Sequence, residues 1–188
     1  MIQRECGPAW NSGSQLLVSL VGLPGSGKTT VGRQLARRLQ VPFVDSDHAI
    51  ELRLGCSIRE FFEREGEASF RDIEEEVINA LTLESPRVLS TGGGVVLRSA
   101  NRQHLRSRGS VIYLKSTPDE LYRRLRHDVN RPLLQVADPL ARMRDLFVQR
   151  DPLYRETAHF VLETGRPSVS TLVNMIVMQL ELAGVVPP

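Results

Sequence analysis

Residues 22–29 read Gly-Leu-Pro-Gly-Ser-Gly-Lys-Thr, between a short apolar run at 16–21 and a helical pattern over 29–39. The spacing GxxxxGK[ST] carries meaning in that setting, where a buried strand feeds a turn and the turn feeds a helix. Glycines let the backbone curl until successive N–H groups face inward, a concavity suited to phosphate oxygens. The helix that follows presents free N–H groups and its positive dipole end to the same anion. Lys28 adds a mobile point charge, and the Thr29 hydroxyl is a hard oxygen ligand suited to Mg²⁺. By composition alone the pattern arises in about 1% of chains of this size. Bound nucleotide phosphates are therefore expected against Gly25, Ser26, Gly27, Lys28, Thr29 and Thr30.

The rest of the chain alternates in the same way. Short apolar runs at 42–44, 88–90, 110–114 and 159–162 read as strands. Helical patterns fall at 47–54, 67–83, 101–108, 140–154 and from Ser168 to about Leu182. Ser57 and Glu60 form a capping-box pair for a further helix, and Thr117 with Pro118 opens another. Residues 127–138 break the periodicity and read as a loop. Residues 1–14, which contain Trp10, read as a tail ahead of a single domain over 15–188. Strand-helix alternation implies an α/β domain whose parallel sheet is covered on both faces. Ligands of such folds bind outside the carboxyl ends of the strands.

A phosphate loop does not separate a hydrolase, a switch and a kinase, so the other strand ends must decide. Asp45 and Asp47 follow the second strand. Asp45 could hold a metal through water. Asp47 could orient an acceptor hydroxyl and take its proton, or it could simply cap the next helix. Arg71 and Glu74 share one helix face, either as a surface ion pair or as part of a pocket. Gly92-Gly93-Gly94 follows the third strand, where bare backbone lets a small ligand approach closely; the alternative is a plain turn. Arg150 could be a solvated charge, although an arginine fork matches both oxygens of a carboxylate. Arg131 in the 127–138 loop suits a lid that excludes water and steadies transferring charge; an ordinary linker is the alternative.

Composition excludes several classes. Net charge is +2 with scattered basic residues, so no nucleic-acid surface is expected. No apolar run approaches a membrane span, and the first fourteen residues lack a signal-peptide core. Cys6 and Cys56 imply neither a disulfide framework nor a metal spacing, which fits a reducing cytoplasm.

Taken in order, GLPGSGKTT, DSD, FRDIE, STGGG, RPLL and RDPLY resemble the shikimate kinase family over about residues 16–182. The phosphate loop is widespread, whereas Phe-Arg-x-x-Glu with the triple glycine and Arg-Pro-Leu is particular. The resemblance implies a three-layer α/β/α sandwich of the P-loop nucleoside-monophosphate-kinase type, with five parallel strands in the order 2-3-1-4-5. It implies transfer of the ATP γ-phosphate to the 3-hydroxyl of shikimate with Mg²⁺, in aromatic amino-acid biosynthesis, by a cytoplasmic enzyme expected to be a monomer. Asp47, Lys28 and Arg131 match the catalytic positions. Asp47, Arg71, Glu74, Gly92, Gly93, Gly94 and Arg150 match the shikimate side, and Thr29 and Asp45 the metal side. Arg124, Arg131 and Arg166, the last within the 164–167 stretch, match the ATP side. Two other readings stay open: a related small-metabolite kinase such as gluconate kinase, and a non-catalytic sensor domain.

Overall fold

The structure, a computed structural model, describes residues 16–126 and 136–188. The tail with Trp10, and Arg131 in the expected lid, lie outside the described residues.

Five strands form one parallel sheet: β1 (Leu17–Val21), β2 (Phe43–Asp45), β3 (Arg87–Ser90), β4 (Ser110–Lys115) and β5 (Phe160–Glu163). Their order is β2-β3-β1-β4-β5, as the family resemblance implies. Among the helices, α1 (Lys28–Leu39) and α7 (Val169–Leu182) cover one face of the sheet. Val31, Leu35 and Leu39 of α1 and Ile176 and Leu180 of α7 pack there against Val18, Leu20, Ile112 and Leu114. The opposite face takes Ile78 from α3 (Ile58–Leu83) and Leu105 from α4 (Ser99–Arg108). It also takes Leu121 from α5 (Pro118–Leu125) and Met143, Leu146 and Tyr154 from α6 (Pro139–Thr157). Neighbouring strand residues point to opposite faces, so Leu17 and Val21 serve the second layer while Val18 and Leu20 serve the first. With both faces covered, a continuous apolar run is what a central parallel strand requires, and all five residues of β1 are buried.

Register brings the site together. Leu20 of β1 and Asp45 of β2 both pair with Ser90 of β3. The end of β1, the acid-bearing end of β2 and the strand end before the triple glycine thus lie side by side at one edge of the sheet.

The helices start where their caps stand. Ser57 and Thr117 form capping boxes with Glu60 and Glu120, and Ser168 accepts from the Thr171 N–H. Three details differ from expectation. The helix capped by Ser57 and the one over 67–83 are a single element, α3, interrupted only at Gly66, where φ is 80° and ψ 176°. Residues Val95–Leu97 form a short 3-10 helix that no periodicity announces. Helix α6 runs through Pro152 to Thr157. Proline removes one ladder bond there, but the packing of Met143, Leu146 and Tyr154 holds the helix on both sides of it. Among the described residues no helix is long and apolar enough to cross a membrane.

Candidate active site

The loop between β1 and α1 is built for an anion. A β-carbon on Gly22, where φ is 149°, would stand 2.7 Å from the Leu114 carbonyl and 2.9 Å from Ser26 Oγ, so only glycine fits. Gly27 precedes α1 with φ 94° and supplies no side-chain cap, and the first turn holds no acidic residue. The leading N–H groups of α1 are thereby left to a ligand. Lys28 curls back over the loop, its Nζ donating to the carbonyls of Gly22 at 2.8 Å and Leu23 at 3.0 Å.

Asp45 has two jobs. Its Oδ1 accepts the Asp47 N–H at 3.1 Å and caps α2 (Ser46–Leu54). Its Oδ2 accepts from Thr29 Oγ1 at 3.0 Å, and Ser90 Oγ stands 3.4 Å from the same hydroxyl. Asp45, Thr29 and Ser90 are thus hard oxygen donors converging at the foot of the loop. Such a set suits Mg²⁺, which keeps several waters and takes one or two protein oxygens beside a substrate's phosphates. Among the described residues no group of three or more His, Cys, Asp and Glu side chains forms a metal cage.

Because Asp45 does the capping, the carboxylate of Asp47 is spared that role. Asp47 enters the cleft with its carboxyl pushed up to about 6, first by burial and then by the charge of Asp45, while Lys28 pulls it down. A carboxylate so raised is a better base than an exposed aspartate. Pro24, Gly25, Gly27, Lys28, Thr29, Thr30, Asp45, Asp47, Ser90, Thr91 and Gly93 line one cleft of about 350 Å³. Phosphate loop, metal side and Asp47 therefore share a single space.

Of the triple glycine, Gly93 lines this cleft, with Gly92 and Gly94 on either side of it, and each glycine is pressed by a neighbour. A β-carbon on Gly92 would fall 2.5 Å from Asp47 Oδ1, and one on Gly93 would fall 2.8 Å from Pro24 Cδ. On Gly94 it would collide with the guanidinium of Arg71. That guanidinium donates to Glu74 at 2.7 Å and to Glu67 at 3.0 Å, and lies over the rings of Phe70 and Phe62. Glu74 is 1% exposed, and burial raises its pKa against the pull of Arg71 and then Arg150. Arg150 of α6 donates Nη1 to the Gly93 carbonyl at 3.0 Å, while its Nε is buried without a hydrogen-bond partner. Two arginines thus meet a buried acid and the glycine backbone beside Asp47.

On the other flank, Arg124 of α5 spans to the loop after β5. It donates to the Thr164 carbonyl at 2.6 Å and reaches the Gly25 carbonyl at 3.4 Å, tying that loop to the phosphate loop. Arg166 is exposed on the same segment.

This geometry has known relatives. The model of the family described as "Shikimate kinase" matches residues 24–181. The chain belongs to the shikimate kinase family. A shikimate kinase from Paracidovorax citrulli is 62% identical over 179 residues, covering 94% of this chain and 98% of that protein. One from Ralstonia nicotianae is 59% identical over 171 residues, covering 91% and 90%. Among solved structures, the shikimate kinase from Acinetobacter baumannii in complex with shikimate superimposes with a TM-score of 0.85 at 46% identity. The match covers 90% of this chain and 94% of that one.

Among the described residues, the phosphate loop and the DSD, FRDIE, STGGG and RDPLY motifs come together in one place even though they are scattered in sequence. Several contributors were not singled out by sequence reasoning. Ser46 is fully buried and accepts the Gly92 N–H at 3.1 Å. Ser90 faces Thr29. Tyr154 donates its phenol proton to the Gly93 carbonyl beside Arg150. Each lies inside a motif already noted, Ser46 in DSD, Ser90 in STGGG and Tyr154 in RDPLY, and Tyr154 also lies four residues after Arg150 and so on the same helix face.

Proposed function

We propose that the cleft transfers the γ-phosphate of ATP to the 3-hydroxyl of shikimate, giving shikimate 3-phosphate and ADP. The chain is an ATP-dependent kinase acting on shikimate, and the proposal concerns how its residues divide the work. The observation that carries it is the shared space. Lys28 and Asp47 line one cleft, and the wall of that cleft is the glycine turn held by Arg71 and Arg150.

Gly25, Ser26, Gly27, Lys28, Thr29 and Thr30 hold the phosphates, with Arg124 and Arg166 flanking the adenine. Thr29 and Asp45 would hold Mg²⁺, which when bound would supply positive charge against the phosphate oxygens. Asp47 accepts a hydrogen bond from the acceptor hydroxyl and takes its proton as the new P–O bond forms. The bond to the β-phosphate breaks and the electron pair leaves with ADP. Such transition states are loose, so the proton departs late and a carboxylate is base enough. Arg131 steadies charge on the transferring group, the role that the family resemblance assigns to it. Arg71 and Arg150 bind the acceptor carboxylate, and Glu74 keeps Arg71 in place. On this reading the enzyme acts as a monomer, and the cysteine usage suits a reducing cytoplasm.

Replacing either arginine tests the division. Arg71→Ala or Arg150→Ala removes a partner from a desolvated anion, at a cost of roughly 2–5 kcal/mol of acceptor binding. ATP binding stays unchanged on this reading. Equal weakening of both substrates, or of neither, contradicts it.

A further inference from the structure

We propose that Tyr154 is a positioning residue for the acceptor: it holds the Gly93 carbonyl so that Arg150 can leave it for the substrate carboxylate. The inference rests on the reading above, in which Arg150 binds that carboxylate.

The Gly93 carbonyl accepts from two donors, Arg150 Nη1 at 3.0 Å and the phenol of Tyr154. Both come from one face of α6, four residues apart. Arg150 Nη1 is therefore engaged with backbone when no substrate is present, and turning the guanidinium fork so that it meets both oxygens of a carboxylate gives that bond up. Gly93 is half-buried and lines the cleft, so an acceptor seated there shuts its carbonyl off from water, and a carbonyl so covered without a donor costs free energy comparable to a lost hydrogen bond. With Tyr154 in place, the carbonyl keeps a partner when Arg150 swings away. Without it, binding the acceptor would orphan a backbone oxygen in the wall of the cleft.

The tyrosine is built for constancy. Its side chain is fully buried, and burial raises the phenol's pKa, so the proton stays on the oxygen at any working pH. Its ring stacks on Tyr113, with centroids 4.9 Å apart. The Tyr113 hydroxyl is in turn anchored on Asp151 Oδ1 at 2.9 Å, and Arg155 holds the other oxygen of Asp151 at 2.7 Å. A fixed ring aims one hydroxyl at one carbonyl. Arg150, by contrast, has a buried Nε with no partner, so its present arrangement leaves donor capacity that a second binding mode can use.

The test is binding of shikimate and of its uncharged carboxamide to the wild type, Tyr154→Phe and Tyr113→Phe, by calorimetry on the full chain. Tyr154→Phe keeps the ring stack and removes only the donor. Wild type should bind shikimate well and the amide poorly. Tyr154→Phe should weaken shikimate about ten-fold and the amide hardly at all, with ATP affinity unchanged. Tyr113→Phe keeps the stacked ring and the carbonyl's donor and removes only the hydroxyl bonded to Asp151, so it should keep the wild-type preference. If Tyr154→Phe discriminates like the wild type, or weakens both ligands equally, the positioning role is wrong while the Arg150 reading survives. If Tyr113→Phe reproduces the whole effect, Tyr154 acts only as packing and the proposal fails. If the wild type itself does not distinguish acid from amide, Arg150 does not bind the carboxylate and both readings fall.

Discussion

A β-carbon on Gly92 would lie 2.5 Å from Oδ1 of Asp47, so the glycine turn leaves the candidate base a space that any side chain at 92 would invade. The Ser46 hydroxyl, accepting the Gly92 N–H at 3.1 Å, fixes the turn against the residue that precedes Asp47.

Gly92→Ala should therefore displace the Asp47 carboxylate without reaching the nucleotide. A displacement of about 1 Å at a reacting group costs on the order of 100-fold in rate. The expected outcome is a kcat lowered by roughly that factor, with KM for ATP nearly unchanged. Steady-state kinetics check this, and a near-normal kcat would show that Asp47 does not need its present position.

Asp47→Asn should act on rate and on stability in opposite directions. Removing the proton acceptor should lower kcat by about 10²–10⁴. The Asp47 carboxyl sits at about 6 in the fold against an ordinary 3.8, so the folded state holds the proton more tightly. Its stabilising contribution is complete below about pH 4 and is lost as pH rises through about 6. Above that, the ionised carboxylate faces Asp45, Glu74 and Glu51 with only Lys28 to offset them. At about pH 8 the asparagine variant should then be the more stable, by up to roughly 3 kcal/mol. The difference should vanish near pH 4. Denaturant titrations across this range give the sign directly.

Asp45→Asn separates the metal role from the helix cap. Asparagine caps as well as aspartate, so α2 should persist and Tm should hold. The lost negative charge should raise the Mg²⁺ concentration needed for half-maximal rate by about 10–100-fold. An unchanged Mg²⁺ requirement would remove Asp45 from the metal side.

The phosphate loop was legible because its chemistry is local: eight consecutive residues shape the nest and supply both Lys28 and Thr29. The sheet was legible because β1, β3 and β4 are buried on both faces and so read as plain apolar runs. What the glycines do was not legible. Gly92, Gly93 and Gly94 answer to Asp47, Pro24 and Arg71, partners distant in sequence that only the parallel register brings near. The cap of α2 was open for the same kind of reason, since Asp45 and Asp47 are equally good capping residues by type. Only the backbone at Asp45, extended at φ −109° and ψ 122°, makes that residue the cap. Tyr154 closes the RDPLY motif, yet its role was not legible because a buried aromatic on a helix ordinarily means core, and its ring is indeed core. Only the oxygen at its tip reaches the cleft wall.

The most direct measurement is a coupled assay of ADP release with ATP and Mg²⁺, offering shikimate, quinate and gluconate in turn, with the product identified by phosphorus NMR. Shikimate should be turned over with a kcat/KM at least about 100-fold above the other two, because a site that pairs polar groups with one substrate rejects those that leave them unpaired. The product should carry its phosphate on the 3-hydroxyl. Preferential phosphorylation of gluconate, or ADP release that ignores the acceptor altogether, would contradict the assignment of Asp47, Arg71 and Arg150 to shikimate.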